Sequence, residues 1–416
     1  MTFSIHNGII NAKKALKMEF IRRFFHPPRG SFFLFGPRGT GKSTWLKITF
    51  RDALFVDLLD PETIRSYASY PESLINAVEA LPEDSIVVID EIQKLPELLD
   101  VAHLLMERKG NIRFVLTGSS ARKLKRTGID LLAGRAAVRY MHPFMAEELR
   151  NRFSLEDALK IGLIPLVVFS PDPYEALRAY VSLYINEEVK AEGFVRKIGD
   201  FGRFLEAIAF SHASVLNLTE VARECQVKRK TVEGYVSILE DLLIGFKVPV
   251  FTKRAKRHMS AHPKFYLFDA GVFRVLRRAG PLDVSREAEG AALEGLIAQH
   301  LRAWIDYGHR DCQLYFWRTR AGNEVDFVVY GPDTFVAVEV KNAQQLRNKD
   351  LVGLVEFQKD YSEAMAVLLY RGRERLKMKG IPCIPCELFL RALDPRLSMT
   401  EILKESFYRN EGDRRR

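Results

Sequence analysis

The chain has 416 residues, more than one hydrophobic core usually serves, so two or three domains are expected. It carries 63 Lys and Arg against 53 Asp and Glu, a net charge of +10 with a pI near 9.3, which suits a polyanionic partner. No apolar run approaches the roughly 18 residues of a membrane span, and the N-terminus lacks the order of a signal peptide, so a soluble protein with no membrane partner is expected.

The 4 cysteines lack framework spacing, which argues against disulfides and for a reducing compartment, the cytoplasm by default. Cys383 and Cys386 form C-x-x-C, but a zinc site would need a second pair, so two buried or half-buried thiols on a late strand are expected.

In the first 150 residues, short apolar runs alternate with amphipathic stretches. Ser31 to Phe35, Ala53 to Asp57, Ser85 to Ile89, Ile112 to Thr117 and Ala136 to Tyr140 read as buried parallel strands, and helical patterns such as Lys42 to Phe50 fall between them. The fold class is α/β, with a doubly wound first domain.

Between the first strand and first helix lies Gly36-Pro37-Arg38-Gly39-Thr40-Gly41-Lys42-Ser43-Thr44, a P-loop in its proper strand-to-helix setting. Glycines let backbone N–H groups turn onto phosphates, Lys42 neutralises phosphate oxygens and Ser43 ligates Mg²⁺, so ATP and Mg²⁺ are the expected cofactors. The strand ending at Asp90-Glu91 fits a Walker B motif, Asp90 holding the Mg²⁺ shell and Glu91 polarising the attacking water. Thr117 ends the next strand and suits contact with the γ-phosphate or water, and Arg135 is a candidate arginine finger.

From Leu155 the pattern turns helical, and Leu205 to Gly245 reads as three helices. Thr219 is the expected N-cap of a short helix, followed by a turn and a longer helix from Lys230: helix-turn-helix spacing. Lys228, Arg229 and Lys230 open that second helix, with Tyr235 a turn along it, and Lys253, Arg254, Lys256 and Arg257 lie between two expected strands, Phe246 to Thr252 and Lys264 to Phe268, as a wing would. The lysines and arginines among these are the candidate DNA contacts, reading backbone or structure and not base sequence; protein contact is the alternative use of such a module.

After Gly280-Pro281, a helix over Glu287 to Tyr307 precedes strands at Gln313 to Arg318, Glu324 to Tyr330, Thr334 to Val340 and Met365 to Tyr370. Asp326 and Glu339 are expected on neighbouring strands of a hairpin, and Glu339 and Lys341, two apart, share a face. Carboxylates paired with a lysine suit a divalent metal and phosphodiester chemistry.

The P-loop, the Asp90-Glu91-Ile92-Gln93-Lys94 stretch, Leu116-Thr117-Gly118-Ser119-Ser120 and Leu132-Ala133-Gly134-Arg135 resemble an AAA+ type ATPase of the bacterial and archaeal group with a DUF4143 C-terminal region. The resemblance covers nearly the whole chain and implies a homo-oligomer, such as a ring, in which one subunit's finger completes its neighbour's site. Trp317, Arg318, Gly322, Glu324 to Asp326 and Glu339 to Lys341 are similar to the PD-(D/E)XK nuclease core. By that resemblance Asp326 and Glu339 are metal ligands for Mg²⁺ or Mn²⁺, Glu294 is an accessory ligand and Lys341 is the catalytic base or charge stabiliser. The expected division is an AAA+ P-loop core over 1–150, a helical lid and winged helix over 151–280, and a restriction-endonuclease-like α/β domain over 281–416. Two functions follow: an ATP-dependent DNA-processing nuclease, or an ATP-gated DNA- or protein-binding switch whose nuclease-like domain is an inactive scaffold.

Overall fold

The apolar runs of the first module close into a five-stranded parallel sheet in a computed structural model that describes residues 21–108, 111–119, 134–185, 198–253, 262–277, 280 and 285–408. Its strands are β1 (Ser31–Phe35), β2 (Leu54–Asp57), β3 (Ile86–Asp90), β4 (Arg113–Gly118) and β5 (Ala136–Tyr140), in the order β2-β3-β4-β1-β5. Helices α1 (Lys42–Thr49), α2 (Pro61–Ser69), α3 (Ser73–Glu79) and α4 (Leu98–Arg108) cross between them. Because β4 lies between β1 and β3, whatever ends β4 stands between the P-loop and the carboxylates that end β3.

The middle module begins with α5 (Ala146–Leu149), α6 (Leu155–Ile161), α7 (Pro165–Val168) and α8 (Pro173–Ala179). It continues through α9 (Ile198–Ala209), β6 (Ser214–Val215), α10 (Leu218–Cys225), α11 (Arg229–Asp241), β7 (Gly245–Val248), β8 (Lys264–Leu267) and α12 (Ala270–Leu276). The N-cap of α10 is Asn217 and not Thr219: the Asn217 Oδ1 accepts from the N–H groups of Thr219 (3.2 Å) and Glu220 (3.3 Å). Strands β6, β8 and β7 pair in that order, antiparallel.

The expected strand Phe246 to Thr252 divides in two. Gly245–Val248 pairs with β8, and Pro249, which has no N–H to give the ladder, turns the chain onto the C-terminal sheet. There the Phe316 N–H donates to the Pro249 carbonyl (3.0 Å) and the Phe251 N–H to the Phe316 carbonyl (2.7 Å).

The C-terminal module packs α13 (Ser285–Tyr307) against β9 (Gln313–Arg318), β10 (Glu324–Gly331) and β11 (Thr334–Lys341), an antiparallel run. Helix α14 (Val352–Asp360) crosses over to β12 (Met365–Tyr370), parallel to β11. A strand not expected from the sequence follows, β13 (Leu376–Met378), then β14 (Ile381–Pro385), the late strand expected to hold both thiols, which ends before Cys386, and the helices α15 (Cys386–Ala392) and α16 (Met399–Tyr408). The sheet runs β13-β14-β12-β11-β10-β9. Cys383 on β14 and Cys386 at the start of α15 are buried free thiols.

One contiguous apolar core joins the modules, running from Phe32 and Trp45 through Phe204 and Tyr266 to Trp304 and Phe389. No helix among the described residues is long and apolar enough to cross a membrane.

Candidate active sites

The P-loop needs its glycines. A Cβ on Gly36 would lie 2.4 Å from the Met141 carbonyl oxygen, and Gly39 and Gly41 have φ +81° and +90°. Lys42 is buried with its ammonium donating to the carbonyls of Gly36 (2.6 Å) and Pro37 (3.2 Å), and Thr40 Oγ1 donates to the same Pro37 oxygen (2.8 Å). Ser43 is half-buried and Thr44 exposed at the start of α1. The middle module covers the loop: the Leu166 N–H donates to the Gly39 carbonyl (3.2 Å) and the Tyr180 hydroxyl to that of Arg38 (2.9 Å).

Asp90 and Thr117 meet as the strand order requires. Ile89 pairs with Leu116 and Leu34 with Thr117, so Thr117 lies beside Asp90 on one flank and the end of β1 on the other. The Thr117 hydroxyl donates to the Asp90 Oδ1 and accepts from the Glu91 N–H at 3.1 Å. The second Asp90 oxygen, Oδ2, is buried without a hydrogen-bond partner, which fits a site built for a hydrated cation. Glu91 has φ +60°, ψ +44°, a left-handed conformation a carboxylate residue rarely takes, and it turns the chain sharply off the strand. Its carboxylate accepts from Gln93 Nε2, which also donates to Ser119 Oγ (3.1 Å). Gln93 and Ser119 were in the motifs but had no assigned role.

Arg135 lies away from its own P-loop. It precedes Ala136, which pairs with Ser31 at the start of β1, whereas the P-loop follows the other end of that strand, about 16 Å off at 3.3 Å per residue. Its guanidinium pairs with Glu107 at 2.8 Å, and both side chains are exposed.

A residue the sequence did not single out braces the P-loop. Buried Arg23 pairs with both Glu148 oxygens at 3.1 Å and donates to the carbonyls of Thr40 (2.8 Å) and His142 (2.6 Å) and to the Tyr307 hydroxyl (3.1 Å). Nothing in its sequence context, a run of Arg and Phe, marks it out.

In the middle module Lys228, Arg229 and Lys230 are exposed at the start of α11, with Arg229 paired to Glu233 at 3.2 Å. Tyr235 turns the other way: it is buried against Phe201 and Phe204, because the apolar face of α11 must fill the core. Lys253 lies over the Tyr330 ring, 4.6 Å from its centroid. Arg254, Lys256 and Arg257 lie outside the described residues.

In the C-terminal module Phe327 pairs with Val338, so the register sets Asp326 across from Glu339. Lys341 Nζ donates to Glu339 Oε1, and the Val340 N–H to Asp326 Oδ2 at 2.9 Å. Glu294 reaches the group from α13. A further participant comes from outside the module: Lys264 of β8, only 2% exposed, whose Nζ is 2.6 Å from Glu324, 2.9 Å from Glu294 and 3.1 Å from Asp326. Tyr266, two residues on, donates to Glu294 Oε1 at 2.6 Å, and Arg318 pairs with Glu324 at 3.3 Å.

The electrostatics follow from that gathering. Burial, with the Asp326 charge second, pushes the Glu294 carboxyl up to about 7, and the same two causes raise Glu339 well above the carboxylate range. Burial works to lower Lys264, but Glu294 and its other anionic neighbours outweigh it, so its ammonium is held charged. Glu339 Oε2 is buried without a hydrogen-bond partner. Among the described residues no three His, Cys, Asp or Glu side chains are arranged to hold a metal ion; in this conformation the carboxylates gather on Lys264 and Lys341. The sequence signal for Lys264 was a single cation opening the apolar run Phe265 to Phe268.

Comparison with known proteins matches three family models along the chain. Residues 29–150 match an AAA domain, 152–283 a domain of unknown function, DUF8612, and 289–389 the domain of unknown function DUF4143. Two relatives, the uncharacterized proteins Rv2008c of Mycobacterium tuberculosis and Mb2031c of Mycobacterium bovis, are each 24% identical over 368 residues, 86% of this chain and 80% of theirs. The crystal structure of protein VC1899 from Vibrio cholerae spans 90% of this chain and 98% of its own at 10% identity, with a TM-score of 0.22, too loose to bear on the fold. The chain therefore carries an AAA domain, in which the P-loop, Asp90 and Thr117 stand in register on the parallel sheet as nucleotide hydrolysis requires, and a DUF4143 domain toward its C-terminus.

Proposed function

We propose that this ATPase is a homo-oligomeric, DNA-binding machine that couples ATP turnover to metal-dependent cleavage of DNA in its C-terminal domain. Asp326 facing Glu339 across a hairpin, with Lys341 bonded to Glu339, carries this reading, since two carboxylates and a lysine are what phosphodiester hydrolysis needs.

In the ATPase domain Lys42 leaves the carbonyls of Gly36 and Pro37 for phosphate oxygens, and Glu91, steadied by Gln93, takes the proton of the attacking water. Thr117 fixes Asp90 through one oxygen and leaves the other for the metal shell. Ser43 and Asp90 would hold Mg²⁺, which neutralises charge on the phosphates. The remoteness of Arg135 from its own P-loop supports a role in a neighbouring subunit's site, as a ring would supply.

The order α9, β6, α10, α11, β7, β8 supports reading this module as a winged helix, and the exposed Lys228, Arg229 and Lys230 at the start of α11 suit contact with phosphates. In the C-terminal domain Asp326, Glu339 and accessory Glu294 would hold Mg²⁺ or Mn²⁺, and the unpartnered Glu339 Oε2 fits such a ligand. A metal there would activate water and stabilise the phosphorane. Lys341 would supply positive charge beside the scissile phosphate.

A second reading, an ATP-gated switch with an inactive nuclease-like domain, is favoured by the ion pairs Lys264 makes with Glu294, Glu324 and Asp326. The test is a gel assay of labelled linear, single-stranded and four-way-junction DNA with Mg²⁺ or Mn²⁺, with and without ATP. Cleavage lost in Glu339→Ala supports the first reading. No cleavage of any form, or cleavage untouched by Asp326→Ala and Glu339→Ala, leaves the second.

A further inference from the structure

We infer that Lys264 is a built-in counter-ion that closes the C-terminal carboxylate cluster to divalent cations, so that the middle module must withdraw β8 before a metal can enter. The inference rests on reading that cluster as a metal site.

The contacts support it. Lys264 Nζ lies 2.9 Å from Glu294 Oε1, 2.6 Å from Glu324 Oε1 and 3.1 Å from Asp326 Oδ1, so the ammonium occupies oxygens of two of the three proposed metal ligands. A divalent cation next to the Lys264 ammonium would meet a like charge a few ångströms away in a poorly solvated site. Ammonium and metal therefore compete for the same oxygens.

The route of Lys264 is also telling. A lysine is expensive to bury unless paired, and this one is nearly fully buried on the first residue of a strand whose other residues are apolar. It belongs to the module that also covers the P-loop through Leu166 and Tyr180. Its strand is paired to β7, which continues into Pro249 to Phe251 on the edge of β9. A shift of this small sheet relative to the C-terminal sheet thus moves Lys264 against Glu294, Glu324 and Asp326 together. The unpartnered Glu339 Oε2 beside them is the observation, independent of the ion pairs, that points to a ligand.

Mn²⁺ binding, followed by electron paramagnetic resonance of the full chain, tests the gate without relying on catalysis. Wild type, Lys264→Met, Glu339→Gln and the double variant would be titrated with MnCl₂ in the absence of ATP. Wild type is expected to bind no Mn²⁺ that Glu339→Gln fails to bind. Lys264→Met is expected to gain one site, at least tenfold tighter than anything in wild type, and the double variant to lose it. A wild-type Mn²⁺ site that disappears in Glu339→Gln overturns the inference, whether or not Lys264→Met folds. A folded Lys264→Met with no gained site overturns it equally. If the gained site is present and DNA is still uncut, the gate stands and the nuclease reading falls.

Discussion

Arg23 and Tyr307, 284 residues apart, are joined by a 3.1 Å hydrogen bond from the guanidinium to the phenol, at the point where the P-loop meets the C-terminal helix α13. The same phenol oxygen accepts from the His142 N–H at 2.9 Å, and Asp306 beside it bonds the His142 ring at 2.5 Å. The nucleotide site is therefore braced by a helix whose other part carries Glu294 into the carboxylate cluster.

That brace has a measurable weak point. Arg23→Met leaves Glu148 buried and uncompensated, an expected loss of about 3–5 kcal/mol. Adding Glu148→Gln removes the stranded charge, so the double variant is expected to be more stable than Arg23→Met alone. Urea unfolding of wild type, both single variants and the double closes this cycle; strictly additive losses would mean the pair is not coupled.

Phe251 is the peg that fastens the middle module to the C-terminal sheet. It is 1% exposed among Tyr315, Tyr330, Phe335, Phe357 and Tyr361. Phe251→Ala is expected to cost about 3–5 kcal/mol, while Phe251→Leu, which keeps most of the volume, costs less. A midpoint shift under about 0.5 kcal/mol, the size of an ordinary surface change, would contradict the docking described.

Acid sensitivity should be traceable to His300. Burial, aided by nearby His142, brings its pKa down to about 4 against an ordinary 6.5, and Nε2 accepts the Ala146 N–H at 2.9 Å, so the folded ring is neutral. A depressed histidine pKa contributes stability that is present above 6.5 and lost as the pH falls toward 4. From pH 7.5 to 5, wild type should lose roughly 2 kcal/mol relative to His300→Gln, compared by urea midpoints at each pH. Equal losses in the two proteins would show that the ring charges without cost.

Much of the fold was legible because it follows from local pattern. The strands from Ser31 to Tyr140 and those from Gln313 to Tyr370 announced themselves as apolar runs, and the observed bounds differ by a residue or so. The pairing of Asp326 with Glu339 followed from the short turn between their strands. What stayed hidden was tertiary: Lys264 and Arg23 read as ordinary cations, and only the packing of distant modules makes them buried counter-ions. The burial of Tyr235 was hidden for the same reason, since which face of α11 turns inward depends on α9. Pro249 was the local sign that the strand from Phe246 would break, but its new partner β9 lies over 60 residues on.

The exposed start of α11 predicts a salt signature. Replacing Lys228, Arg229 and Lys230 together with alanine should weaken DNA binding evenly across sequences and lower the slope of log affinity against log salt by about 2–3. The lower figure allows for Arg229, already paired with Glu233. Fluorescence anisotropy at several salt concentrations reads this, and an unchanged slope would remove α11 from any DNA interface.

The central claim is that the P-loop, Asp90, Glu91 and Thr117 form a hydrolytic ATP site, and single-turnover hydrolysis of radiolabelled ATP tests it most directly. Lys42→Ala should abolish turnover, and Glu91→Gln should slow the chemical step at least about 10²-fold while ATP still binds. Hydrolysis by Glu91→Gln at the wild-type rate, with ATP bound, would contradict the account.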